Sequence, residues 1–284
     1  DFTSIWAIDP SINNGYPYLR ALTISSSSTG GSSGYEYETY TNDEIDALVA
    51  SGYIPIATAD ELNNVRHSQA NTYGAGTTWE GTYTGGLDKY YVQVANIDLS
   101  GYSNWLPLGD SSTRFTGKYN GGNFLIENLT INRDTSYNVG LFGIVYSWVY
   151  SDCFKNIRLK NVDVTGCEHV GALVGLANMA GILNCSVEGG TVTGTHNITE
   201  SDAKNGTGGL VGIAYNFHNS SIFCIMENCF ATVDVSSSFV VGGLIGNNYN
   251  CDINKCYATG DVEGHYYVGG FVGENNRYIE NCYS

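Results

Sequence analysis

An all-β fold, wound as a right-handed parallel β-helix (solenoid) with a short N-terminal helical cap, is what this 284-residue sequence predicts. Three observations carry the expectation. One apolar–Asn–apolar phrase recurs: "IENLTI" (126–131), "FKNIRL" (154–159), "ILNCSV" (182–187), "MENCFA" (226–231), "INKCYA" (253–258) and "IENCYS" (279–284). A glycine phrase alternates with it: "VGLFG" (139–143), "VGALVG" (170–175), "GGLVG" (208–212), "GGLIG" (242–246) and "GGFVG" (269–273). The composition is that of short strands and frequent turns rather than helices, with 36 Gly, 22 Tyr and only 14% charged residues.

The repeat fixes the coil. Leu129, Ile157, Cys185, Cys229, Cys256 and Cys282 align at steps of 28, 28, 44, 27 and 26 residues, the signature of a repeat architecture. Three residues before each stands a second apolar column, Ile126, Phe154, Ile182, Met226, Ile253 and Ile279. Same-face residues of a straight strand are two apart, so a bend separates the columns. The intervening Asn128, Asn156, Asn184, Asn228, Lys255 and Asn281 suit it, because Asn tolerates the left-handed conformation. Each unit therefore reads as strand, Asn corner, strand and a glycine-marked strand or turn. A single coil cannot bury its own apolar face; stacking coils about 4.8 Å apart pairs their backbones and makes one continuous core. A helical solenoid is the competing fold, but the segments lack a 3.6-residue period. The step of 44 marks an insertion, read as a polar loop over "THNITESDAKNGT" (195–207).

Ahead of the coils, Thr41 with Glu44 and Thr58 with Glu61 have capping-box spacing. They predict two short helices flanking "YIPIA", the second covering the exposed strand edge of the first coil. "SSSSTGGSSG" (25–34) reads as a flexible linker. The opening "DFTSIWAIDPSINNGYPYL" is dense in turn residues and aromatics, the composition of a closing segment. The expected organisation is 1–24 tail-like segment, 25–40 linker, 41–88 helical and loop cap, and 89–284 β-helix.

Charge narrows the functions. A net charge of −16 argues against nucleic acid, which needs basic surface, and against anionic membranes, while leaving cation binding open. No apolar run reaches the length of a membrane span, so no membrane insertion is expected within this sequence. The eight cysteines do not match zinc spacings. Cys185, Cys229, Cys256 and Cys282 fill slots where other coils use Leu or Ile, as buried small hydrophobes. Cys224 and Cys251 lie 27 apart, one coil, and are a candidate disulfide.

Asp234 and Asp261 fall in equivalent slots, with Asp163 and Thr191 in the same column. Stacked carboxylates suit a solvated face, a Ca2+ site or paired acid–base chemistry on a carbohydrate; no basic residue neighbours them. The five histidines share no column and read as surface or turn residues. No catalytic motif and no cofactor motif stands out, so no enzyme activity is expected. Tyr146, Trp148, Tyr150, Tyr215, Phe217, His218, Tyr249, Tyr266 and Tyr267 cluster near turns after the glycine segments, where such side chains pack structurally in the first reading and stack on sugars or on other subunits in the second. Four sequons begin at Asn128, Asn197, Asn205 and Asn219; Asn197 and Asn205, in the expected loop, are the glycosylation candidates.

Taken together, "GGLVG", "GGLIG", "GGFVG", "IATADELNNV", "ANIDLSGY", "WLPLGD" and "FTGKYNGGNFLIENLTI" resemble the GLUG-repeat family over residues 54–284. The resemblance implies a parallel β-helix stalk of a secreted or cell-surface protein, bacterial or archaeal. It includes adhesin-like proteins and non-catalytic regions of some IgA-cleaving metallopeptidases. No H-E-x-x-H motif is present here. In that family, text like "WAIDPSINNGYPYL" follows the last coil, and "YIENCYS" joined to residues 1–19 reads as uninterrupted family sequence. Three arrangements remain open. Copies join head to tail, with Trp6, Ile8, Pro10, Tyr16, Pro17, Tyr18 and Leu19 completing a neighbour's β-helix as a donor strand in a filament. Tandem modules of a longer chain make the same contact covalently. Or the segment folds back on its own chain. The partners expected are further copies or modules and surface glycans; the alternative function is a carbohydrate-binding or carbohydrate-active β-helix.

Overall fold

The computed structural model describes residues 6–7, 18–19, 37–147, 152–196, 205–216 and 224–284. The chain divides into Asp1–Thr39 and Tyr40–Ser284. In the first unit Trp6–Ala7 and Tyr18–Leu19 pair antiparallel, Trp6 opposite Leu19 and Ala7 opposite Tyr18. The linker and the remaining proposed contact residues of this segment, Ile8, Pro10, Tyr16 and Pro17, lie outside the described residues.

Among its described residues the second unit is all-β apart from two short helices. Among the described residues its parallel strands form sheets of twelve, eight and five members. The eight-stranded sheet takes one short strand from every turn: Ile54–Ile56, Tyr90–Gln93, Lys118–Asn120, Phe154–Lys155, Ile182–Leu183, Cys224–Glu227, Cys251–Asn254 and Ile279–Glu280. The five-stranded sheet holds the glycine strands Phe142–Tyr146, Val174–Asn178, Val211–Tyr215, Ile245–Tyr249 and Val272–Asn275. Each strand pairs in register with its counterpart one turn away, as Val174 with Val211 and Val211 with Ile245. Coiling thus begins earlier than expected. Ile54–Ile56 pairs in parallel with Tyr90–Gln93, so the region expected to be only a cap already contributes a strand.

Helix α1, Asn42–Ala50, has the predicted capping box: Thr41 N–H donates to Glu44 Oε2 at 2.8 Å and Glu44 N–H to Thr41 Oγ1 at 3.4 Å. Helix α2, Ala59–Asn64, keeps only half of its box. The Glu61 carboxylate is buried and accepts instead from the amides of Ala57 at 2.6 Å and Ala75 at 2.8 Å. Leu62 and Val65 join the main core, whereas Ile45 of α1 packs with Val92 and Val94.

The corners explain the asparagines. Asn156, Asn184, Asn228, Lys255 and Asn281 all hold φ between 53° and 55°. Their amides also form a ladder. Asn228 Nδ2 donates to Asn184 Oδ1 at 3.1 Å, Asn184 Nδ2 to Asn156 Oδ1 at 3.0 Å, and Asn156 Nδ2 to Tyr40 Oη at 2.7 Å. Lys255 interrupts the ladder and reaches Glu227 Oε1 at 2.8 Å. One row of the sequence alignment is corrected: Phe154 lies opposite Tyr119 and Ile182, while Ile126 lies opposite Leu159. Asn128 (φ 60°) belongs to a different corner, whose coil neighbour is Asn161 (φ 54°). The same Asn–apolar text marks two corners of the coil, so period alone does not distinguish them.

The glycine phrases mark a pinch. A Cβ on Gly242 would collide with the Ile245 carbonyl, and one on Gly246 with the Thr207 amide. Only bare backbone fits there, between the buried pairs Leu210–Val211 and Leu244–Ile245.

The inserted text also divides in two. Gly194 and Thr207 oppose Ser237 and Val241, a gap of 13 residues against 4. Tyr215 and Cys224 oppose Tyr249 and Cys251, a gap of 9 against 2. The extra length therefore falls at two places in the chain rather than in the single segment expected.

Asn184→Ala should lose the left-handed tolerance, about 1–2 kcal/mol, together with two ladder hydrogen bonds. Asn184→Gly should lose only the bonds. Urea midpoints compare them, and equal losses would show that the corner conformation carries no cost.

Candidate functional site

Stacking brings like side chains into columns, and four are chemically distinctive. The first is sulfur. Cys185, Cys229, Cys256 and Cys282 each follow a left-handed corner. The amide of Cys185 donates to Cys229 Sγ at 3.4 Å, Cys229 to Cys256 Sγ at 3.3 Å, and Cys256 to Cys282 Sγ at 3.3 Å. Each thiol turns back to the carbonyl two residues earlier, at 3.3, 3.3, 3.2 and 3.1 Å. These cysteines are more than small hydrophobes: a thiol is compact and apolar, yet both donates and accepts weakly. Burial pushes the thiols of Cys185 and Cys256 well up, favouring the neutral form.

Cys224 and Cys251 are register partners, as the spacing predicts. Both are buried and both thiols are free, so the candidate disulfide is not formed. In-register parallel strands hold equivalent Cβ atoms nearly one strand spacing apart, about 4.8 Å, beyond the roughly 3.5–4.5 Å of a disulfide. Cys224 instead donates to the Ala180 carbonyl at 2.9 Å.

The second column is acidic. Asp163 lies opposite Thr191, and Thr191 opposite Asp234. The next pair, Val235 with Val262, sets Asp234 against Asp261. All four are exposed. Asp234 Oδ1 accepts the Asp261 amide at 3.0 Å, and Asp163 Oδ1 accepts from Thr191 Oγ1 at 3.3 Å. The carboxylates tie one coil to the next.

The third is aromatic. Phe230, Tyr257 and Tyr283 stack with centroids 4.7 and 5.1 Å apart and planes within 7°. Tyr215 and Tyr249 stack at 5.0 Å. Tyr266 and Tyr267 pack on Phe239 at 5.8 and 5.4 Å. Trp148, Tyr150, Phe217 and His218 lie outside the described residues. A groove elsewhere is lined by Arg66, Leu106, Asp110, Arg133 and Tyr137, of which Leu106 and Tyr137 are exposed. Sequence reasoning missed it because Arg66 and Arg133 are distant in the chain.

The fourth column holds His169 (φ 53°) beside Asn138 (φ 58°), at a corner that the sequence did not reveal. His169 Nδ1 and Asn138 Oδ1 are 2.8 Å apart. Burial lowers the His169 pKa from 6.5 to about 4, against an opposing hydrogen bond to Asn205. Asn205 is only 8% exposed, which corrects its reading as a glycosylation candidate: its amide faces inward. Asn197 lies outside the described residues.

Comparison with known proteins agrees with this architecture. The family model described as "The GLUG motif" matches residues 204–236 and 237–263. Halomucin of Haloquadratum walsbyi is 32% identical over 168 residues, 58% of this chain and 2% of that protein. A "Putative Gly-rich membrane protein" of Evansella cellulosilytica is 34% identical over 145 residues, 47% of this chain and 14% of that protein. This chain therefore spans a small part of both relatives. Among solved structures, a "putative immunoglobulin A1 protease from Bacteroides ovatus" superposes with a TM-score of 0.57 over 81% of this chain and 63% of that one, at 20% identity. That likeness is one of fold.

Two outcomes follow. Alkylation of the native, non-reduced protein should modify Cys167 and Cys282, the two cysteines not buried, and spare the other six until denaturation; peptide mapping reads the sites. His169 is neutral when folded, so the unfolded chain binds more protons between pH 6.5 and about 4. Its contribution to stability is present above 6.5 and lost as pH falls towards 4. His169→Asn, which suits the corner, should flatten that part of the stability–pH curve.

Proposed function

We propose that these GLUG-motif coils are a structural module of an extracellular, cell-surface protein. The module is a right-handed parallel β-helix stalk, and its last coil is covered by a segment like residues 5–19. That segment comes head to tail, from a second copy or from an adjoining module of the same polypeptide. The observation that carries the reading is the contrast between the last two coils. Val241 and Ile253 are 0% and 1% exposed, while their coil partners Val268 and Ile279 are 46% and 37% exposed. Val268–Gly269, Val272–Asn275 and Ile279–Glu280 end their respective sheets, offering backbone amides and carbonyls to a further strand. Trp6, Ile8, Tyr16, Tyr18 and Leu19 supply apolar cover, and Pro10 and Pro17 stiffen the segment.

The comparisons support the location and the modular reading. The Evansella relative is described as a membrane protein, and both relatives are several times longer than this chain. No helix among the described residues is long and apolar enough to cross a membrane. A stalk needs no catalytic centre, and Asp234 serves the next coil's amide. Carbohydrate binding is the second reading, favoured by the groove where exposed Tyr137 adjoins Arg66, Arg133 and Asp110.

A peptide of residues 1–24 added to the full chain should slow amide exchange across Val268–Glu280 and leave exchange at Ile56 unchanged. Trp6→Asp with Leu19→Asp in the peptide should abolish the protection. Unchanged exchange at saturating peptide would remove the completion reading. Asp234→Asn with Asp261→Asn should leave the protection intact; for the second reading, Tyr137→Ala should abolish binding to any glycan retained by the native chain.

A further inference from the structure

One cluster of side chains is used neither by the columns nor by the last coil. It lies where the strand Arg158–Gly171 meets the residues just beyond Ser186–Gly194 of the following coil. Successive residues of a regular strand point to opposite faces, so Cys167 and Glu168 would ordinarily diverge. Here the pairing is irregular: Gly166 lies opposite Arg133 but Glu168 opposite Tyr137, two residues matched against four. As a result both side chains reach His196. His196 Nδ1 is 3.0 Å from Glu168 Oε1 and 3.9 Å from Cys167 Sγ. The three donor atoms all lie within 4.8 Å of one another.

Those separations have a chemical meaning. Around a tetrahedral Zn2+, with bonds of about 2.3 Å to sulfur and about 2.0–2.2 Å to nitrogen and oxygen, ligand atoms stand roughly 3.3–3.6 Å apart. The nitrogen–oxygen and nitrogen–sulfur distances fall on either side of that range, within a few tenths of an ångström. The site is sheltered but open: the His196 and Glu168 side chains are 17% and 15% exposed. The charges acting on Cys167 are the carboxylates of Glu168 and Asp134, so the local field favours a cation. A sulfur, an imidazole nitrogen and one carboxylate form a mixed set that suits Zn2+, Co2+ or Ni2+; Ca2+ and Mg2+ prefer oxygen alone.

We propose that Cys167 Sγ, Glu168 Oε1 and His196 Nδ1 form a three-ligand site for a borderline divalent cation, Zn2+ first among them, with water in the fourth position. Binding forms a metal–thiolate bond as the Cys167 proton passes to solvent, and no electron is transferred. The site stands independently of the stalk reading, because all three ligands come from two adjacent coils of one chain.

Cobalt is the probe. The full chain, reduced and stripped with a chelator, is titrated with Co2+ and then with Zn2+. One equivalent of Co2+ should give thiolate-to-cobalt charge-transfer absorption with intense tetrahedral d–d bands, and Zn2+ should bleach both. Cys167→Ser and His196→Ala should each weaken binding at least tenfold and remove or shift the thiolate band. Cys282→Ser, at the other cysteine that is not buried, should leave the spectrum unchanged. Circular dichroism follows the fold of each variant, and alkylation of Cys167 in the native protein gives a second block that does not depend on refolding. Absence of a charge-transfer band at millimolar Co2+, or a band that survives Cys167→Ser, would overturn the proposal.

Discussion

Everything in the coiled unit depends on in-register stacking of parallel backbones. Adjacent strands lie about 4.8 Å apart, so each side chain rests on the equivalent side chain of the next coil. A residue type succeeds in such a column when it tolerates a copy of itself above and below. Asparagine does so by passing amide hydrogen bonds along the corner, from Asn228 to Asn184 to Asn156. Aromatic rings do so by stacking with nearly parallel planes, as Phe230 and Tyr257 do at 1°. Cysteine does so because its sulfur accepts the neighbouring coil's amide. Four of the eight cysteines, Cys185, Cys229, Cys256 and Cys282, thus owe their place to a corner.

Charge is the group that stacks badly, and its placement follows. Asp234 and Asp261 share an exposed column, with an amide of one coil bonded to the carboxylate of the other. Lys255, where the corner column otherwise holds Asn, pairs with Glu227 of the preceding coil. Glu61 is buried, at the first coil where α2 and the Ala75 turn supply amides to it. Among the described residues, fully buried charge is therefore confined to Glu61 at the first coil, and the apolar interior stays continuous from Ile56 to Cys256.

Much of this was legible in the sequence because a stacked coil writes its period directly into the chain. The Asn corners, the recurrence of the glycine segments, the acidic column and the Cys224–Cys251 register all followed from spacing, whereas the pinch at those glycines did not. The misreadings have separate causes. "IENLTI" looks like the other repeats yet sits one corner later, since several corners of each coil accept Asn. Asn205 looked exposed because its neighbours are polar, whereas its amide is turned towards His169. The cluster of Cys167, Glu168 and His196 left no periodic trace at all. It depends on a local break in strand pairing, and a rule built on regularity does not register an irregularity.

The longest coil carries a broader lesson. Between Cys185 and Cys229 the chain runs 44 residues, against 27 in the next turn. Pairing is nonetheless in register on both sides of each insertion: Gly194 meets Ser237, Thr207 meets Val241, Tyr215 meets Tyr249, and Cys224 meets Cys251. Each corner thus restores the reading frame of the fold, and an error in length at one edge is forgotten before the next strand begins. A lineage carrying such coils is free to graft new text at those edges, turn by turn, without renegotiating the architecture beneath.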